Sequence, residues 1–204
     1  MKFPLHVWTR GMAALVTAAA LAPGAAAGAD LATREWRFNV SLDGRPIGQH
    51  SFVLRDVGDS RELTSEARFR VRVLFFDAYR YDHRALETWR GDCLQQLAAS
   101  RDVNGKRTVV AITPVDECVQ TFAYWNPSIL RATRLLNPQT GEYEPVQISE
   151  LGSDVIAGQP AERFRLIGGG TTPLKIDLWY SPARDWLALE SRTPEGRTLR
   201  YSKE

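Results

Sequence analysis

From Glu35 onward apolar and polar residues alternate with a period of two, and this limits the possible folds more than any other feature of the chain. In "WRFNVSL" Trp36, Phe38, Val40 and Leu42 fall on one side, with Arg37, Asn39 and Ser41 opposite. "RELTSEARFRVRV" repeats the pattern, setting Leu63, Ala67, Phe69, Val71 and Val73 against Glu62, Glu66, Arg68, Arg70 and Arg72. Successive side chains of a strand point to opposite faces, so each run predicts an antiparallel strand with one buried and one wet face. Asp43-Gly44 is a strong two-residue hairpin signal before "IGQHSFVLR", and "VGDS" turns the chain again. The Arg68–Arg70–Arg72 row reads either as an anion site or as a solvated face with cross-strand carboxylate partners.

"CLQQLAASRDVNGKRTVVAITPVDEC" predicts a hairpin folded about Asn104-Gly105. Symmetric pairing about that turn carries Cys93 to the neighbourhood of Cys118. Two cysteines in an oxidising compartment favour a bridge over a metal site, which wants more ligands, or a catalytic pair, which favours Cys-x-x-Cys spacing. Asn126 or Ser128 can cap a short helix over "PSILRATRLL", with Pro127 tolerated in its first turn. Further short runs follow: "YEPVQISELG", "DVIAGQPAERFRLIG", "LKIDLWYS", "DWLALES" and "TLRYS". Many short strands with regular turns predict a mainly β fold, a curved antiparallel sheet or open β-barrel with one short helix.

Lys2 and Arg10, the uncharged run Gly11 to Ala22 and the small residues of "APGAAAGAD" predict a signal peptide over residues 1–29, cut after Ala27 or Ala29. The apolar run is shorter than the ~20 residues that span a bilayer, and no cysteine near the cut could carry a lipid. Residues 30–204 then form a single β-rich domain, expected as a soluble protein of the periplasm. The leader takes two basic residues and no acid, leaving 24 of each sign and no net charge. Nucleic acid is therefore not expected as a partner, because that binding rests on a surplus of Lys and Arg.

"YRYDHRALETW" (residues 79–89) puts Glu87 four residues after His83. In a helix the two would lie one turn apart and could share a proton or a metal. Strand spacing instead groups Tyr79, Tyr81, His83, Ala85, Glu87 and Trp89 on one face, with only Leu86 out of place on the other. The strand reading agrees with the neighbouring alternation and with the β preference of Tyr, Thr and Trp. It separates His83 from Glu87 by about 13 Å. What remains is an aromatic face suited either to lining a ligand cavity or to the rim of an ordinary core. His83 itself reads as a hydrogen-bonded histidine or, with a partner from another strand, as a catalyst.

Other chemistry is sparse. "LGSDV" lacks the second glycine of a nucleophile elbow. Gly168-Gly169-Gly170 has no following Lys-Ser/Thr and reads as a loop. His50 and His83, the histidines beyond the leader, leave metal sites short of ligands, and neither metal nor cofactor is expected. His50 shares the phase of Phe52 and Leu54 and is placed facing the core or its rim.

"VSLDGRPIGQHSF", "YRYDHRALETWRGDCL", "YWNPSIL", "LLNPQTGEYEPVQI" and "LWYSPARDWLALES" together resemble an uncharacterised family of exported proteobacterial proteins. More loosely, the pattern is similar to the LolA and LolB lipoprotein carriers. The resemblance implies an antiparallel curved sheet and no established activity. The expected function is non-enzymatic binding of an apolar or amphipathic, lipid-like ligand. Phe75, Phe76, Tyr79, Tyr81, His83, Trp89 and Trp125 are the candidate lining. A structural or assembly factor acting on an envelope protein partner is the alternative. A hydrolase-type enzyme using His83, Glu87 and Asp82 comes third.

Overall fold

The computed structural model describes residues 32–73, 76–114, 118–169 and 174–204. Alternation becomes strand wherever it is long enough: β1 (Thr33–Leu42), β2 (Arg45–Val57), β3 (Ser60–Val73), β4 (Phe76–Arg90), β5 (Cys93–Val103) and β6 (Lys106–Ile112) form a first meander. β7 (Arg134–Leu136), β8 (Tyr143–Ile156), β9 (Gln159–Gly168), β10 (Leu174–Tyr180), β11 (Trp186–Arg192) and β12 (Thr198–Lys203) form a second. The first and last strands, β1 and β12, pair antiparallel and join the meanders into one sheet of order β6-β5-β4-β3-β2-β1-β12-β11-β10-β9-β8-β7. The mainly β reading holds.

Tight turns occur where the hairpin signals put them. Asp43-Gly44 and Asn104-Gly105 have positive φ at both positions, which matches the right-handed twist of the strands they join. Ala157-Gly158 does the same between β8 and β9, a turn inside "DVIAGQPAERFRLIG", which is one continuous run in the sequence reading. Gly152, predicted to end a strand, instead lies inside β8, where the register shifts between Glu150 and Gly152. A bulge has absorbed what looked like a turn.

The helix is shorter than its sequence pattern. Pro127–Arg131 make a single 3-10 turn, capped by the Asn126 side chain accepting from the Ser128 amide. "RLL" leaves the helical pattern to become β7, because Leu136 donates to Gln120 O at 2.8 Å and the strand pairs with β8. Tertiary pairing outweighs a weak helical preference here.

The segment from residue 118 to 133 links β5 of the first meander to β7 of the second. Leu94 N–H donates to Val119 O at 2.8 Å, tying the segment to β5, and the Leu136 bond above ties it to β7. Arg101 Nη1 donates to Gln139 Oε1 at 3.2 Å, so the turn before β8 reaches across to β5. Cys93 and Cys118 are disulfide-bonded, with α-carbons 4.8 Å apart. Closing a loop of that length contributes about 3.5 kcal/mol in the chain-entropy model. The bridge fits a chain exported to an oxidising compartment.

Inside, the sheet is filled. Trp36, Phe38, Phe52, Trp89, Trp125, Tyr180 and Trp186 are buried in one cluster with the aliphatic residues of both meanders. Phe38 and Trp186 lie 4.2 Å apart between ring centres, and Trp89 meets Trp125 edge-on at 5.4 Å. On the outer face, Trp179 is buried with Leu187 and Ala188 under Arg163, and its indole donates to Asp154 at 2.7 Å. Among the described residues, no helix is long and apolar enough to cross a membrane.

Candidate functional site

Register places His50, His83 and Arg101 in a single cross-strand row. Phe38 of β1 pairs with His50 of β2, His50 with Ala67 of β3, Ala67 with His83 of β4, and His83 with Arg101 of β5. The next row runs Val40, Gly48, Phe69, Tyr81 and Val103. Residues opposite one another share a face, so all of these project inward. Ala67 presents only a methyl between the histidines, and their rings meet edge to face at 6.4 Å.

His50 is saturated. Its Nε2 lies 2.8 Å from Ser65 Oγ and its Nδ1 3.2 Å from the Tyr201 hydroxyl, while its ring stacks on Phe52 at 4.0 Å. Burial, with His83 adding a smaller push, lowers its pKa to about 3. A serine on an imidazole that is itself oriented by a third group has the layout of a nucleophilic pair. A general base wants a pKa near the working pH, however, and this one stays neutral far below it. The contact is that of a buried histidine with both nitrogens satisfied.

His83 and Arg101 are not saturated. His83 Nδ1 and Arg101 Nε are both buried without a hydrogen-bond partner. Burial and the neighbouring Arg101 charge lower the His83 pKa, against a smaller opposing effect of the Ser100 backbone. Tyr81 stacks on Phe69 at 5.3 Å and parallel to Tyr79 at 6.4 Å. Burial raises both phenol pKa values, and the Arg101 charge acts on both in the opposite sense. Along β4 exposure drops from 37% at Tyr79 to 8% at Tyr81, and the inward residues from there to Trp89 are all buried. The aromatic face therefore has an open end at Tyr79 and a sealed end at Trp89.

The stretch 79–89 is strand throughout, and Leu86 points outward. Glu87 is buried, accepts from the Trp89 indole at 2.9 Å, and belongs to the sealed end. Burial raises its pKa to about 7, while the Trp89 bond and the Thr121 side chain pull the other way. Trp125 sits on Trp89 and Trp36, so it packs at that sealed end and away from Tyr79. Of the candidate lining residues, Tyr79, Tyr81 and His83 gather at the open end, while Trp89 and Trp125 gather at the other. Phe75 and the side chain of Phe76 lie outside the described residues.

Sequence reasoning missed Arg101, Ser65 and Tyr201. Arg101 shares the inward phase of Leu97 and Ala99, and Ser65 that of Leu63 and Ala67, so phase could have found both. Tyr201 could not be found that way, since it reaches His50 only through the pairing of the chain's two ends.

The outer face of β3–β6 carries a groove of about 430 Å³. It is lined by the outward Arg68, Arg70, Arg84 and Arg107 with Glu66, Asp82 and Asp102, and its floor is completed by Ala67, His83, Ser100 and Arg101 of the same strands. Arg70 grips Asp82 through both carboxylate oxygens at 3.1 Å, and Arg84 lies 3.4 Å from Glu66. Cross-strand pairing thus accounts for Arg70 and Arg84. Among the described residues no cluster of three or more metal-binding side chains occurs.

A family model described as Domain of unknown function (DUF6134) matches residues 38–204. No curated protein matches the chain. Among solved structures, the chain is similar to a beta-barrel-like protein of the Domain of Unknown Function DUF1849 from Brucella abortus. The two are 7% identical with a TM-score of 0.63, over 85% of this chain and 96% of that one. At that identity the likeness concerns fold alone.

Proposed function

The chain belongs to the family described as Domain of unknown function (DUF6134), and from that premise we propose that it is a periplasmic, non-enzymatic binder of an apolar or amphipathic, lipid-like ligand. The observation that carries this reading is the stacked row along β4, where an exposed Tyr79 leads directly to a buried Tyr81 and His83. Aromatic surface with a few polar groups is the usual lining of a small-molecule site. The packed interior beyond His83 restricts the ligand to the open end. Chemistry is not assigned to His83, since no carboxylate faces it among the described residues.

The test is uptake of dansyl undecanoic acid by the purified protein, followed by its fluorescence. Replacing both Tyr79 and Tyr81 with alanine should weaken uptake by tenfold or more, because two aromatics each losing about 1 kcal/mol suffice. Trp89→Ala should act on stability instead. A wild-type protein that takes up no probe overturns the proposal.

A second reading, an envelope assembly factor, draws on the β6 edge. Among the described residues this strand is paired on one side, and it carries Val109 at 65% exposure; an edge of that kind is a template for a partner strand. Val109→Lys would then abolish partner capture without changing probe uptake.

A further inference from the structure

We infer that the open end of the β4 aromatic face recognises an anionic oxygen group, a carboxylate or a phosphate, through Arg101, with the apolar body of the ligand lying on Tyr79, Tyr81 and Phe69. This rests on the binding reading above and names the chemistry of the ligand.

Arg101 faces the interior beside His83 and has no carboxylate partner among the described residues. Other partly buried arginines of this protein do have one: Arg70 holds Asp82, and Arg163 and Arg165 both hold Asp177. Glu87, the buried carboxylate of the same β4 face, is four residues from His83, about 13 Å along the strand. It is also already engaged by Trp89. A guanidinium set inward without a counter-charge is unfavourable unless a partner arrives.

The direction of the unused valences is equally specific. Gln139 occupies Nη1 of Arg101, and Nε is left without a partner. The Nε–H and the adjacent Nη2–H form one edge of the guanidinium, spaced to grip two oxygens of a carboxylate or phosphate. Beside it stand the His83 imidazole, whose unpartnered Nδ1 donates to such a head in its Nδ1–H tautomer, and the Tyr81 ring stacked next to it. His50 takes no part, because Ser65 and Tyr201 already occupy both its nitrogens. The row therefore offers donors and a positive charge on one side, and stacked rings above them. An amphipathic acid is the complementary shape; a neutral hydrocarbon would leave Arg101 uncompensated.

The experiment compares dansyl undecanoic acid with its methyl ester on the purified wild-type protein, at one pH and salt concentration. The acid is expected to bind at least tenfold more tightly. Arg101→Met should remove that preference by weakening acid binding at least tenfold. Arg101→Lys, which keeps the charge and loses the fork, should retain part of it. Dodecanoate and dodecyl phosphate as competitors separate the two headgroups, and displacement by either one sustains the inference. Equal binding of acid and ester by the wild type overturns it and leaves the apolar-binder reading standing. Binding of neither overturns the reading beneath it as well. Circular dichroism checks that each variant is folded, and the acid-to-ester comparison needs no variant at all.

Discussion

The imidazoles of His50 and His83 meet edge to face at 6.4 Å across Ala67, two strands apart in the sheet. Both are held neutral by burial, His50 down to about 3. A histidine whose folded pKa is depressed binds fewer protons folded than unfolded, so its contribution to stability is complete above the ordinary value of about 6.5. That contribution is lost progressively as pH falls towards about 3. Urea unfolding followed from pH 7 to pH 4 should show a loss of a few kcal/mol. His50→Gln should flatten that slope, and an unchanged slope would show that His50 does not control it.

Glu87 has the opposite sign. Its pKa is raised from 4.5 to about 7, so the folded protein holds the proton more tightly and the stabilisation is greatest below pH 4.5. It declines as pH rises through about 7. Glu87→Gln keeps an acceptor for the Trp89 indole and cannot ionise. Relative to wild type, the variant should gain about 2–3 kcal/mol between pH 4.5 and pH 8. Thermal melts at the two values measure it, and a gap that does not change with pH would contradict the buried carboxyl.

Gly48 lets β2 and β3 approach beside this site. A β-carbon built there would fall 1.9 Å from the Arg68 carbonyl oxygen, on a backbone with φ of +150°. Gly48→Ala should cost about 3 kcal/mol, because backbone rather than a flexible side chain must move. Gly105→Ala is the comparison: its β-carbon meets nothing within 4 Å, so only the strained φ remains, for about 1 kcal/mol. Denaturant midpoints rank the two, and equal losses would refute the close approach.

The sequence by itself determined what depends on neighbours along the chain. Alternation from Trp36 to Leu42 and from Leu63 to Phe69 required strands, and Asp43-Gly44 and Asn104-Gly105 required tight turns between them. Cys93 and Cys118 were legible as a pair because folding the chain about Asn104-Gly105 brings their neighbourhoods together. Strand phase also placed Tyr81 and His83 on the buried face. The tertiary structure alone decided which faces meet. β12 pairs with β1, which brings Tyr201 to His50 from 151 residues away, and Leu136 joins a sheet edge where its own segment suggested a helix. Arg101 faces His83 because β5 and β4 are in that register, and His50 reaches His83 because Ala67 between them is small. The period of a strand fixes the side on which a residue lies, whereas its neighbours on that side depend on pairing between distant segments, which local spacing does not encode.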